Sequence, residues 1–254
     1  MGETQGDDMS ELFAEVVEWL GDPMNWTGKG GIPNRLWEHV SVSLLGIVIG
    51  AVIALPSAII LGHLRRGGIL AVSAVNMGRA IPSFGIVALA YSITLGLGVL
   101  TSPLGYWPTV IALVLLAMPP MFVNAYTGVR EVDPAFVETA RGMGMTERQV
   151  LTWVELPIAT PLMMAGVRTA AVQVVATATL GAVVGFGGLG RYIIDGFLQR
   201  DNAQLLVGGV LVALLAVATE LSLGWVERRT DRTARSRQPL PADVVTSEPS
   251  PAEV

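Results

Sequence analysis

A chain of 254 residues could make one large soluble domain or two small ones, but 52% hydrophobic residues, 15% charged residues and a mean hydropathy of +0.57 exclude both. The net charge of −5 is segregated, with only acids among the first eight residues and Arg228, Arg229, Arg232, Arg235 and Arg237 following Glu227. There are no cysteines and two histidines, which removes disulfide frameworks, thiolate metal sites and most metal chemistry.

The amino-terminal MGETQGDD lacks the basic then apolar pattern of a secretory signal, so the first apolar span is expected to be a retained anchor. In ELFAEVVEWL, Leu12, Val16, Trp19 and Leu20 share a helical face, which fits a helix lying on the membrane surface or a packing arm. A hydrocarbon layer about 30 Å thick needs roughly 20 apolar helical residues. Five runs qualify. The first extends from about Val40 to Leu61, and the second from about Ile69 to Gly98, interrupted by Pro82 after Arg79. The third begins at Trp107 and carries the pair Pro119 and Pro120; the fourth follows Pro157 to about Val184; the fifth is QLLVGGVLVALLAVATELSLGW.

Five spans place Arg65, Arg66, Arg130, Arg141, Arg148 and the basic tail on one side, which predicts that side to be cytoplasmic and the amino terminus to lie outside. The turn TSPLGY and the segment from about Phe186 to Asn202 fall on the outer side, where Arg191 and Arg200 slightly weaken the asymmetry. The expected organisation is an outer or interfacial arm (1–38), a membrane domain (39–227) and a disordered cytoplasmic tail (228–254).

Between the third and fourth spans, Val132 to Pro157 reads as helix, turn, helix. Asp133 caps the first helix with Pro134 at its first position, and Phe136, Val137 and Ala140 form an apolar face. Gly142 and Gly144 are expected to stop it, and Thr146 to cap a second helix with Val150, Val154 and Trp153 on one side. Two short amphipathic helices projecting from the cytoplasmic face are suited to docking.

Glu138, Ala140, Gly144, nine further residues, Val154, Leu156 and Pro157 resemble the coupling-loop signature of integral-membrane subunits of bacterial ABC importers, E-A-A, three residues, G, nine residues, I, any, L-P. Thr139 stands where the family has alanine and Val154 where it has isoleucine, both mild changes. The resemblance implies an all-α, type I importer membrane fold with about five spans, and a loop that inserts into an ATP-binding partner through Glu138, Thr139, Ala140, Arg141, Gly142, Met143, Gly144, Leu156 and Pro157. The chain has no G-x-x-x-x-G-K-[ST], so ATP and Mg would be bound by a separate pair of ATPase subunits, and this chain is expected to have no enzyme activity or cofactor of its own.

From Val40 to Glu227, RAIPSFG, VREVDPAFVETARGMGMTERQV and GFGGLGRYI resemble permeases of osmoprotectant importers, which carry glycine betaine, proline betaine, carnitine or choline. The arm NWTGKGGIPNRLWEHV resembles one of two permease types found together in such systems, which implies a second permease in a heterodimer, an extracytoplasmic solute-binding protein and a bacterial inner-membrane location. Methionine and sulfonate importer permeases share parts of these motifs, and an importer for methionine or another small organic solute is the alternative. No nucleic-acid partner is expected.

GFGGLG matches a dinucleotide pattern by its letters, but it follows a span rather than a strand; an outer turn is the better reading, and Gly185, Gly187, Gly188 and Gly190 are candidates for an external gate loop. Thr169, Gln173 and Thr177 recur every fourth residue and either line the translocation path or hydrogen-bond between packed spans. Arg79, Arg168 and Glu220 are ionisable residues near span ends, either functional or held in salt bridges. Paired carboxylates or a histidine cluster for a membrane enzyme are missing, as are the midplane ionisable groups of an ion-driven carrier.

Overall fold

In this computed structural model, which describes residues 3–66, 73, 82–98 and 105–230, the chain forms helices, with no strand among the described residues. Hydrocarbon forces that outcome, because each backbone N–H and C=O must find its partner within its own segment. In chain order, α1 covers Glu3–Gly21, α2 Ile32–His63, α3 Ser83–Gly96, α4 Tyr106–Arg130 and α5 Pro134–Gly142. A continuous helix, α6, runs over Glu147–Val184, followed by α7 at Gly190–Gln199 and α8 at Asn202–Thr230.

Four of these, α2, α4, α6 and α8, are long and apolar enough to cross a membrane. The apolar α3 has 14 residues and starts directly after Pro82, where a break was expected. At 1.5 Å per residue it extends about 21 Å, short of a full crossing. The remainder of the predicted second span, with Arg79, lies outside the described residues, as do Thr101–Leu104 of TSPLGY and the tail beyond Thr230. The first span starts at Ile32 rather than near Val40, because Pro33 suits a first helical turn and the polar face of Arg35 and Glu38 continues the helix outward.

Among the long helices α4 is the most enclosed by the others. Side-chain-free positions let α2 press against it: a Cβ at Gly46 would stand 2.8 Å from Leu113 Cβ, and one at Gly50 would stand 2.9 Å from Ala117 Cβ. Small residues four apart make such a seam between packed helices. Further along α4, a Cβ at Gly166 of α6 would meet Asn124 Cβ at 2.7 Å. A second pair of glycines four apart, Gly181 and Gly185, divides. Gly181 packs on Thr109, whereas Gly185 has φ +89° and ends the helix as a left-handed cap.

One end of the bundle gathers α1, the 3₁₀ turn Pro23–Trp26, the Gly185–Gly190 loop and α7. Trp19 meets Tyr192 edge to face with centroids 5.4 Å apart, and the Tyr192 hydroxyl donates to the Gly30 carbonyl at 2.6 Å. Ile32, Leu189, Tyr192 and Val212 complete that cluster, so the arm packs on the protein through Trp19, while Phe13, Val17 and Leu20 remain exposed. The segment 186–202 contains a helix, α7, directly after the glycine-rich turn. The opposite end carries Arg65, Arg66, Arg130, α5 and the start of α6.

Candidate coupling site and translocation path

The insert folds as its capping residues dictate. The Asp133 carboxylate accepts from the Ala135 N–H at 2.9 Å, with Pro134 in the first turn. The stop is a Schellman turn: Gly144, at φ +86°, donates to the Arg141 carbonyl at 2.9 Å, and the Met145 N–H reaches the Ala140 carbonyl at 3.2 Å. Gly142 remains helical, so the expectation that both glycines end the helix is corrected to Gly144 alone. Thr146 and Gln149 then form a reciprocal capping box for the next helix.

Val132, Val137, Ala140 and Val150 are buried together, with Met145 and Val154 against them, which gives the hairpin a small core of its own. Ala140 thus faces inward, while Glu138, Thr139, Arg141, Gly142, Met143 and Gly144 are exposed at the tip. Of the expected apolar faces, two residues turn outward: Phe136 is 60% and Trp153 70% exposed, and Met143 joins them at 72%. Three large apolar side chains are therefore exposed on this short hairpin.

Leu156 and Pro157 do not end the second helix, as the sequence suggested; α6 continues through them into the fourth span. A proline inside a helix removes one N–H and crowds the carbonyl four residues earlier. Here Val150–Glu155 is π-helical, and the Leu156 N–H bonds the Leu151 carbonyl, five residues back. Thirty-eight residues extend about 57 Å, so the first turns of α6 project beyond a 30 Å layer.

A polar chain that the sequence did not disclose crosses this junction. Arg141 Nε and Nη2 donate to Glu147 Oε1 and Oε2 at 2.9 and 3.0 Å. That hydrogen bond holds the Glu147 carboxyl below its usual range and raises the Arg141 guanidinium. Glu147 Oε2 lies 3.4 Å from His63 Nε2, and His63 Nδ1 lies 2.5 Å from Glu155 Oε2. Glu155 is only 2% exposed. No local motif could have revealed this, because His63 and Glu155 are 92 residues apart in sequence.

On α6 the buried face is Gly166, Ala170, Val174 and Ala178, turned to the core. Thr169, Gln173 and Thr177 lie beside it, exposed or half-buried. The two threonine hydroxyls donate to carbonyls of their own helix, Ala165 at 2.9 Å and Gln173 at 2.7 Å, and the Gln173 carboxamide has no hydrogen-bond partner among the described residues. Among the described residues, none of these three side chains hydrogen-bonds to another helix. Arg168 does pair, with Glu227 at 2.9 Å and Glu220 at 3.5 Å, tying α6 to α8. At the far end, Glu38 Oε2 accepts from the Gly188 N–H at 2.8 Å, and a Cβ at Gly187 would fall 2.1 Å from that oxygen. A Cβ at Gly190 would collide with the Thr179 backbone, so the loop of Gly185, Gly187, Gly188 and Gly190 is a tightly seated turn.

Residues 45–232 match the family model described as binding-protein-dependent transport system inner membrane component. Among curated proteins, the chain is 34% identical over 215 residues to the carnitine transport permease protein OpuCD of Listeria monocytogenes, covering 84% of this chain and 93% of that one. It is also 34% identical over 203 residues to the choline transport system permease protein OpuBB of Bacillus subtilis, covering 80% and 90%. The glycine betaine/carnitine/choline transport system permease protein OpuCD of Bacillus subtilis matches at 34% over 217 residues, covering 84% and 90%. Among solved structures, an inward-facing form of the MetNI methionine ABC transporter superposes with a TM-score of 0.69 at 23% identity, covering 83% of this chain and 99% of that one. A chain of an amino acid ABC transporter superposes with a TM-score of 0.63 at 18% identity, covering 87% and 97%.

Proposed function

The chain belongs to the binding-protein-dependent transport system inner membrane component family, and on that premise we propose that it is the permease subunit of an ATP-driven importer for osmoprotectants of the glycine betaine, carnitine and choline type. The observation that carries the solute class is the set of relatives matching at least four fifths of this chain, whose printed substrates all bear a trimethylammonium group. The methionine alternative has only a likeness of fold behind it, at 23% identity.

In this reading the exposed tip, Glu138, Thr139, Arg141, Gly142, Met143 and Gly144 with Phe136 and Trp153, docks on a pair of ATP-binding subunits that hold ATP and Mg. Its unpartnered apolar side chains support that role. Closure of the pair moves the tip, and α6 carries the movement past Leu156 and Pro157 to the stripe of Thr169, Gln173 and Thr177, which lines the path together with a second permease in a heterodimer. Alternating access then follows as a shift between two conformations. The outer end presents the Gly185–Gly190 loop, as a gate, to a solute-binding protein. Arg65, Arg66, Arg130, Arg141 and Arg148 gathered at the coupling end support a cytoplasmic assignment for that end and an inner-membrane topology with the amino terminus outside. Residues 1–38 serve as the outer arm, 39–227 as the membrane domain and 228–254 as the cytoplasmic tail.

The test is ATP hydrolysis by the complex with its ATPase and binding protein, reconstituted in lipid vesicles. Binding protein loaded with glycine betaine, carnitine or choline is expected to stimulate hydrolysis, and methionine is not. An assembled complex that ignores all three would sink the solute class while leaving the family membership untouched.

A further inference from the structure

We propose that His63 is a positioning residue of the coupling machinery: seated between Glu155 and Glu147, it makes the end of α2 follow the coupling helix, so that movement of the docked tip reaches the first span as well as α6. This rests on the permease reading above. The argument begins from chain connectivity. α6 contains the second coupling helix, and α4 joins α5 through Glu131–Asp133, so both receive movement through the backbone. No such short connection joins α2 to the hairpin. Its end must be held by side chains, and His63 is its last helical residue.

Two independent features put carboxylates at that point. Eight residues at 3.6 per turn would set Glu147 and Glu155 about 80° apart around an α-helix. The π-helical stretch Val150–Glu155 holds more residues per turn and closes part of that angle, bringing both toward His63. Pro157 sits where its missing N–H and its ring favour such a widened turn. The second feature is burial. Glu155 is enclosed, and among the described residues His63 is its only hydrogen-bond or ion-pair partner. A carboxylate removed from water needs a partner, so the contact resists separation when the helix moves. Imidazole suits the task because it has a nitrogen on each of two edges, and one stiff side chain reaches both carboxylates, at 2.5 and 3.4 Å. Glu147 is in turn gripped by Arg141 at the tip, which completes an unbroken polar route from the docking surface to α2.

The test compares wild type, His63→Gln, Glu155→Gln and the double variant, each assembled with ATPase and binding protein in vesicles and supplied with radiolabelled glycine betaine, carnitine and choline. The quantity read is solute taken up per ATP hydrolysed, per assembled complex. A merely structural contact would reduce assembly, uptake and hydrolysis together and leave that ratio unchanged. The expected result is a ratio lowered by about fivefold or more in each single variant, the scale of an ordinary coupling between sites. The double variant should be no worse than the lower single, since both changes remove the same contact. An unchanged ratio in assembled single variants, or losses that multiply in the double, would overturn the proposal. Wild-type vesicles whose hydrolysis never responds to loaded binding protein would overturn the osmoprotectant reading on which this proposal rests, and the proposal with it, while leaving the family membership untouched. A responsive wild type with unaffected variants would overturn this proposal alone.

Discussion

Gly144 and Gly142 are separated by one residue and look alike in sequence, yet only one is conformationally required. At φ +86° a β-carbon on Gly144 is strained although nothing stands within 4 Å of it, whereas Gly142 is helical and equally open. Gly144→Ala is expected to cost about 1–2 kcal/mol, and Gly142→Ala to be neutral or stabilising by up to about 1 kcal/mol, both read from thermal unfolding of the purified chain in detergent. Equal effects would contradict the Schellman geometry. Met143 separates folding from docking. Its exposed side chain contributes nothing to the hairpin core, so Met143→Asp should change stability by no more than about 0.5 kcal/mol. If the tip docks as proposed, the same change should greatly reduce co-purification of the ATP-binding subunit; full retention would remove the tip from the interface. The Arg141 to Glu147 pair adds a pH expectation. Because Glu147 titrates lower in the fold, its contribution is fully present above the usual glutamate range and is lost only as pH falls through its depressed value. The hairpin should therefore keep its geometry from neutral into mildly acidic solution.

Local chemistry made the hairpin legible as an element. Asp133, Pro134, Gly144 and Thr146 each act within a few residues, and each does what its side chain or backbone predicts. The continuation of α6 through Pro157 was not legible, since proline ordinarily argues for an end, and only the i to i−5 bond from Leu156 to Leu151 lets the helix pass. The facing of Phe136 and Trp153 was missed for a similar reason. Either could lie on the apolar stripe by period alone, and the choice was made by packing of Val137 against Val150 across the turn. The widened turn also makes an element-scale prediction. Pro157→Ala restores the missing donor and allows an α-helical turn, which should rotate Glu155 away from His63. The non-additivity between His63→Gln and Glu155→Gln, measured as unfolding free energy in a double-mutant cycle, should then disappear in the Pro157→Ala background. A coupling that survives would mean that the π turn has another cause.

For the molecule as a whole, the hydrocarbon requirement for internally paired backbone made the four long spans readable from apolar length alone. Length and hydropathy do not say which faces meet a partner chain, lipid or water, because an apolar or small residue serves all three. The stripe on α6 is the case where the distinction decides function. Thr169, Gln173 and Thr177 turn away from the chain's own core, so either a second permease covers them dry or water reaches them along a path. The chain contains no cysteine, so single cysteines can be introduced without background. Thiol modification requires the thiolate, and a thiolate forms only where water can stabilise it. A charged, water-soluble methanethiosulfonate should therefore modify Gln173→Cys in the assembled complex at least about tenfold faster than Leu214→Cys, an exposed apolar position on α8 that hydrocarbon would cover. Modification at 173 should also block uptake, because it places a permanent charge in the path. Rates as slow as those at 214 in the assembled complex, rising only when the permeases are dissociated, would assign the stripe to a dry contact between subunits and move the path to another face.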